Sequence, residues 1–404
     1  MPKILMLAMT YPEPAVSGHR VRIRALANVL KEQATLRLLV LSPTFEEDGE
    51  RQTRAAFDAA IVVSEQTLLL QKAATQLPAL LRGRQRWTER FRINAVKAEI
   101  AAEIEAFGPD IILIGHAALV SMVEPLGLDW SRVIVDHQNV ESINYERMAR
   151  DGTWLQRLGA NLDARVFAKL ERLSAKAAQQ WAVSDVDRDA LMKLTGKPVH
   201  TVPNVAPDSA FHLIPRGTKP GAELVFGFMG SYGYAPNRTA LRELIAISEI
   251  LGRTDSGAKI IALGGGAPAG LDAEAAAAGI VMPGFVADAH AYFERFTLLL
   301  APLRSGSGTK LKVVEALAMG LPVVTTAIGA EGLPIEREGL GRVEESNEAL
   351  AHAAMSLAGD RGALQEMSER ARAWAHTHVS MEALRTVIAA RLEAFDASRG
   401  PRTE

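Results

Sequence analysis

The segment Pro302–Thr326, PLRSGSGTKLKVVEALAMGLPVVTT, concentrates residue types suited to chemistry. An aliphatic run, Leu298–Ala301, opens into Ser305-Gly306-Ser307-Gly308, which turns the chain, and Thr309 stands where a helix N-cap would. The free N–H groups of a helix opening at Lys310, Leu311 and Lys312 favour an anion, and Arg304 and Lys310 add countercharge. Glu315 lies one turn beyond Leu311, on the same mouth, in a helix otherwise of Val, Ala, Leu and Met. A carboxylate there does not favour the phosphate but can accept two hydroxyl hydrogen bonds from a ribose. The spacing therefore predicts phosphate at the helix tip with a sugar one turn deeper, the geometry of a nucleotide. A solvated surface glutamate is the weaker reading, because its neighbours are core-like.

Three other loops have similar character. Thr10–His19 carries Gly18 just before a helix, and Phe228–Asn237 carries Gly230 and Ser231 before another. Leu263-Gly264-Gly265-Gly266-Ala267-Pro268, with Gly270, gives GxGxxxG with no acidic residue closing the following strand, which is poor evidence for a dinucleotide site. Two histidines end strands, His116 and His137, the latter in Asp136-His137-Gln138-Asn139-Val140-Glu141. A histidine there can bridge donor and acceptor hydroxyls near neutral pH, or simply be hydrogen-bonded structure. Asp185-Val186-Asp187 matches a metal-binding pattern, but Ser184 with Asp187 reads better as a capping box. No His/Asp/Glu cluster has metal spacing, so no metal is expected.

The elements around these loops alternate. Lys3–Met9, Leu36–Leu41, Ala60–Val63, Ile111–Ile114 and Val133–Asp136 read as strands, with helices at His19–Lys31, Val140–Arg150 and Leu155–Ala178. Pro198–Pro220 is linker-like, after which strands at Leu224–Met229, Ala258–Leu263, Gly279–Val281, Leu298–Ala301 and Pro322–Thr325 alternate with helices at Asn237–Leu251, Ala287–Phe293 and Lys310–Met319. The expected fold class is α/β: two Rossmann-like, doubly wound parallel-sheet domains facing a central cleft. Their expected bounds are 1–203 and 204–379, with a helix at about 380–404 returning to the first.

Composition sets limits. A net charge of −2 in 404 residues argues against a general nucleic-acid binder, so no nucleic acid is expected as a partner. The absence of cysteine excludes disulfides, thiolate metal sites and cysteine nucleophiles. Neither the short apolar run after Met1 nor Ile111–Val123 is long enough for a signal peptide or a bilayer span, and a cytoplasmic home is expected.

DHQNVES, FGFMGSYGYAPN, LGGG, PGFV and PLRSGSGTKLKVVEALAMGLPVV together resemble GT-B glycosyltransferases of the GT4-like group, over nearly the whole chain. The resemblance implies a retaining, metal-independent glycosyltransferase that needs no cofactor and takes a nucleoside-diphosphate sugar as donor. The transfer would go to a glycan or lipid-linked acceptor, in cell-surface polysaccharide or glycolipid synthesis. Similar transferases are thought to use front-face attack, the departing phosphate taking the acceptor's proton. By the same resemblance Glu315 holds the donor ribose and Lys310–Lys312 the diphosphate, with Gly306, Ser307, Gly308 and Thr309 in the loop. Phe285-Val286 reads the base, Gly18 approaches the diphosphate, and His137 approaches the transferred sugar. Gly230, Ser231 and Gly265 complete the donor side, and His116, Asn139 and Glu141 face the acceptor. Two family features are missing. Ser307 stands where many relatives have a second glutamate, and Ser231 and Asn237 stand where they have Arg and Lys; Arg304 and Lys310 are the expected replacements for that pair.

Leu77–Arg92 mixes five arginines with Leu80, Leu81, Trp87 and Phe91, and suits peripheral contact with an anionic membrane or, equally, a solvated helix face. Two alternatives remain for the whole chain: a GT-B nucleotide-sugar epimerase and a non-catalytic nucleotide-sugar-binding protein.

Overall fold

Every strand pairing among the described residues is parallel, as short apolar runs separated by helices demand. The computed structural model describes residues 1–42, 44–63, 93–150, 153–215, 221, 223–253, 257–286 and 289–399. The chain divides into two units, Met1–Pro203 with the residues from Leu384, and Asn204–Ala383.

The first unit is a seven-stranded sheet. Its strands are β1 (Lys3–Ala8), β2 (Thr35–Ser42), β3 (Ala59–Val63), β4 (Ile111–Ile114), β5 (Val133–His137), β6 (Gln179–Ala182) and β7 (His200–Thr201), in the spatial order β3-β2-β1-β4-β5-β6-β7. The centre is covered on both faces, so β1 is buried from Ile4 to Ala8 and shows no alternation. The order of strand addition reverses between β1 and β4, where ligands bind in such sheets. Just beneath lies a buried ion pair, Arg22 of the Gly18–Gln33 helix donating through Nε to Asp136 Oδ2 at 2.9 Å and through Nη2 to Oδ1. That pair ties the first helix to β5. The last helix, Met381–Arg399, serves this unit from Leu384 on: Gln179 donates to the Arg391 carbonyl at 2.9 Å, and Arg385 pairs with Glu32.

The second unit has six strands, β8 (Val225–Met229), β9 (Lys259–Leu263), β10 (Val281–Gly284), β11 (Leu298–Ala301), β12 (Val323–Thr325) and β13 (Gly341–Val343). Their order is β10-β9-β8-β11-β12-β13, with the switch between β8 and β11. One continuous core runs from Phe226 and Phe228 through Leu299 and Val314 to Leu364 and Met367.

Two details differ from the sequence expectation. β7 and β13 are two- and three-residue edge strands, too short to print an apolar run. β10 begins at Val281, where Gly279–Val281 was expected, because Gly279 takes a left-handed turn (φ +81°) and Ile280 is buried in the core. The Asn347–Gly359 and Arg361–His378 helices open with the caps Ser346 and Asp360, each accepting a backbone N–H three residues on. Among the described residues no helix is long and apolar enough to cross a membrane. The basic stretch Leu77–Arg92 lies outside the described residues.

Candidate functional site

In the second unit, the loops after β8, β9 and β11 come together at the strand ends. The first two are packed backbone against backbone. A Cβ on Gly264, whose φ is +129°, would lie 1.9 Å from the Gly230 carbonyl oxygen, so neither chain could approach if this residue were larger. Tyr232 N–H donates to Gly265 O at 2.9 Å and Gly230 N–H to Leu263 O at 3.0 Å. Gly265 lies against Phe285, whose ring is 74% exposed, while Val286 packs on the core. Gly230, Ser231, Gly265 and Phe285 therefore form one surface.

That surface continues to the third loop through a lysine. Lys312, in the first turn of the Leu311–Met319 helix, donates from Nζ to Asn237 Oδ1 at 2.6 Å, and Asn237 Nδ2 donates to the Ser231 carbonyl at 2.8 Å. Its ammonium also lies 4.1 Å from the Phe228 ring centroid. Asn237 thus holds the ammonium of a lysine 75 residues away. Burial first, then the charge of Lys310, push the Lys312 pKa down to about 7 against the pull of Glu315. Lys310 Nζ donates to the Gly308 carbonyl at 2.6 Å and meets Glu331 Oε2 at 3.4 Å, inside the fold of Gly306.

The helix start behaves as an anion site should. Val313 and Val314 N–H both donate to the Lys310 carbonyl, at 2.8 and 3.1 Å, while the amides of Leu311 and Lys312 have no protein acceptor among the described residues. Glu315 is one turn inside, partly buried, between Val314 and Ala316, which are buried.

Two expectations are corrected here. Thr309 does not cap the helix; the N-cap is Lys310, and Thr309 Oγ1 accepts from Asn204 Nδ2 at 2.8 Å. Arg304 is not brought to the group. Its guanidinium donates to Glu243 at 3.2 and 3.3 Å, to Asn347 Oδ1 at 3.0 Å and to the Glu345 carbonyl, and lies 3.7 Å from Glu345 Oε2, so two carboxylates already compensate it. Lys312, not Arg304, reaches Asn237.

In the first unit, the residues after β4 and β5 converge. His116 Nδ1 accepts from Ala118 N–H at 3.0 Å, which leaves Nε2 to donate, and Nε2 lies 3.5 Å from Glu141 Oε1. Asn139 Nδ2 donates to the same oxygen at 3.1 Å and Asn144 Nδ2 to the other at 3.3 Å. Burial alone would raise the Glu141 carboxyl, but His116, with help from Asn139 and His19, brings it down to about 2. The three acceptor-side residues named from sequence thus form one hydrogen-bonded group. His19, next to Gly18, belongs with them: its ring centroid lies 5.9 Å from that of His116, and Nδ1 is 2.5 Å from Gln138 Oε1. A histidine directly after a glycine at a helix start was the available signal for it.

His137 is set behind this group. It has no exposed surface, Nε2 meets Ser174 Oγ at 3.1 Å, and Nδ1 has no partner among the described residues. Burial, then His116, lower its pKa to about 4 despite the Gln180 amide, so the ring is neutral. Asp185-Val186-Asp187 begins the Asp185–Thr195 helix. Ser184 Oγ accepts from Asp187 N–H at 3.1 Å, and Asp185 pairs with Arg188 and Thr201. Among the described residues no group of three or more His, Asp or Glu is placed to hold a metal ion.

Residues 223–360, which include all the loops of the second unit's site, match the family model described as Glycosyl transferases group 1. No curated protein matches the chain in sequence. Solved structures resemble it throughout. Sucrose-phosphate synthase from Thermosynechococcus elongatus superposes with a TM-score of 0.72 at 13% identity, over 98% of this chain and 100% of that one. WaaG, a glycosyltransferase involved in lipopolysaccharide biosynthesis, gives 0.65 at 17% identity, over 95% and 99%. HepE of Anabaena, solved in complex with UDP and glucose, gives 0.63 at 14% identity, over 97% and 100%.

Proposed function

Since the chain is a glycosyltransferase of the group 1, GT4-like family with the GT-B fold, we propose that it takes a nucleoside-diphosphate sugar and transfers the sugar with retention, without a metal, to a glycan or lipid-linked acceptor. The observation that carries this is the start of the Leu311–Met319 helix: two unspent amides, the ammonium of Lys312 held by Asn237, and Glu315 one turn inside. The amides and lysines meet charge that grows on the departing diphosphate, in an enclosed site where such charge is otherwise costly. Glu315 receives the ribose hydroxyls, and Phe285 lies where a base would stack. In the first unit, the Glu141 carboxylate, held by His116, Asn139 and Asn144, accepts from a sugar or acceptor hydroxyl.

The test is a panel of UDP-, GDP- and ADP-sugars in EDTA, with and without candidate glycans and lipid-linked saccharides, with products read by anomeric NMR. The proposal expects one donor to be consumed only when an acceptor is present, with the anomeric configuration kept. Conversion of the donor sugar without acceptor would establish the epimerase alternative, and binding without turnover the non-catalytic one. Inversion, or a requirement for divalent cation, would overturn the mechanism.

A further inference from the structure

The helical hairpin of the first unit has a face that its own fold leaves open. Its arms, Glu141–Met148 and Trp154–Leu173, meet at one end, where Ser142 N–H and Oγ donate to Glu171. Trp154 lies about 25 Å along the second arm from Glu171, at 1.5 Å per residue. At that far end Trp154 is 72% exposed, Leu155 60%, Leu158 51% and Met148 47%. Trp154, Leu155 and Leu158 share one side of the helix by their spacing. Soluble surfaces scatter single apolar residues, but three on one side of one helix, one a tryptophan, mark a surface that something covers.

The charges beside them say what. Along the Trp154–Leu173 helix the exposed ionisable residues are Arg157, Arg165, Lys169 and Arg172, all basic. Its two acidic residues, Asp163 and Glu171, are buried and face the protein. Trp154, Leu158, Arg165, Lys169 and Arg172 fall on one stripe at spacings of three, four and seven. On this longer arm a stripe of bulky apolar groups leads into exposed cations with no exposed acid, while the shorter arm adds one exposed acid, Glu146; the balance fits a surface that is anionic outside and apolar just beneath. Nucleic acid supplies the anions but has no use for the leucines; a bilayer supplies both.

We propose that this hairpin face seats the protein on an anionic lipid bilayer, with Trp154, Leu155 and Leu158 in the interface and Arg157, Arg165, Lys169 and Arg172 over the headgroups. The Glu171 end of the same hairpin carries Glu141, which His116 meets from the loop after β4, so the membrane seat and one member of the acceptor-side group share one element. The inference does not depend on the donor reading.

The test is co-sedimentation of the full chain with vesicles of phosphatidylcholine alone and of phosphatidylcholine with roughly a third phosphatidylglycerol, together with tryptophan emission. Native protein sediments with the anionic vesicles, less so in high salt, and its emission shifts to the blue. Leu155→Ser with Leu158→Ser lowers the bound fraction about tenfold or more, Arg165→Glu with Lys169→Glu abolishes the preference for phosphatidylglycerol, and Trp154→Phe removes the blue shift. No binding by the native protein overturns the proposal, as does binding that survives both double variants, which would move the contact elsewhere. A native dimer that Leu158→Ser dissolves would also overturn it in favour of a second copy covering the face. A thermal shift with nucleoside diphosphates on the same variants, expected to match native protein, separates this result from any failure of donor binding.

Discussion

The two units put the same edge of the same kind of sheet to different uses. Each is parallel, each reverses its order of strand addition beside its first strand, and each gathers its polar loops there. The second unit builds its group from glycine backbone, a bare helix start and lysines, and its central cation, Lys312, sits at a pKa of about 7. The first builds from side chains already satisfied by one another: Arg22 with Asp136, and His116 with Glu141, whose carboxyl lies near 2. A diphosphate presents the same charged oxygens whatever sugar it carries, so amides and an ammonium suffice to hold it. A hydroxyl acceptor must be chosen and oriented, which takes fixed side-chain donors and acceptors. The difference predicts that binding in the second unit follows the charge of one lysine and that the first unit's group acts on the chemical step.

The largest effect expected from this contrast is on Lys312. Lys312→Met should weaken donor binding about 10- to 100-fold, the worth of one charge-assisted hydrogen bond, while Arg304→Ala should change it less than about threefold and cost at most about 1 kcal/mol of stability. Titration calorimetry checks both, and equal losses in the two variants would return Arg304 to the site. The pH profile sharpens the point. Lys312 is charged below about 7 and neutral above, and an ionised donor favours the charged form. Affinity for a nucleotide sugar, whose diphosphate does not itself titrate there, should therefore fall as pH rises from 7 towards 9, and Lys312→Arg should flatten the curve.

Next in size is Glu141→Gln, which leaves His116 without its anion. Turnover should fall about tenfold with the donor KM little changed, whereas loss of donor affinity would erase the division of labour between the units. The smallest effect concerns stability. Burial raises the Glu171 carboxyl to about 7, against the hydrogen bonds from Ser142. The folded state therefore holds a proton that the unfolded chain has lost, between the ordinary carboxylate range and about 7. Stability from Glu171 is full below about 4.5 and fades as pH rises through 7. Glu171→Gln should remove that fade, raising Tm at pH 8 more than at pH 5 in calorimetric scans.

Much of this arrangement is visible in the residues before any coordinates. The buried strands are legible because a doubly covered sheet forces uninterrupted apolar runs, as in Lys3–Ala8. His116, Asn139 and Glu141 are legible because strand ends in such sheets face ligands, and the structure joins them. What stays hidden is long-range pairing. Nothing near Arg304 announces that Glu243, 61 residues back, will hold it, nor that Asn237 will receive Lys312 from 75 residues on. Thr309 looks like a cap by local rule, yet Asn204 claims its hydroxyl across 105 residues. The edge strands β7 and β13 escape because edges need only two or three residues and no buried run.

The most direct test of the donor site is a thermal-shift comparison of native protein and Glu315→Ala with UDP, GDP, ADP and CMP in EDTA. At about 100 times the dissociation constant a nucleoside diphosphate adds roughly 2.7 kcal/mol, a shift of about 2–4 °C for units of this size. The account predicts that shift for one nucleoside diphosphate with native protein and its loss in Glu315→Ala. An equal shift in the variant, or none with any nucleotide in native protein, would contradict a ribose held at Glu315 and a diphosphate at the helix above it.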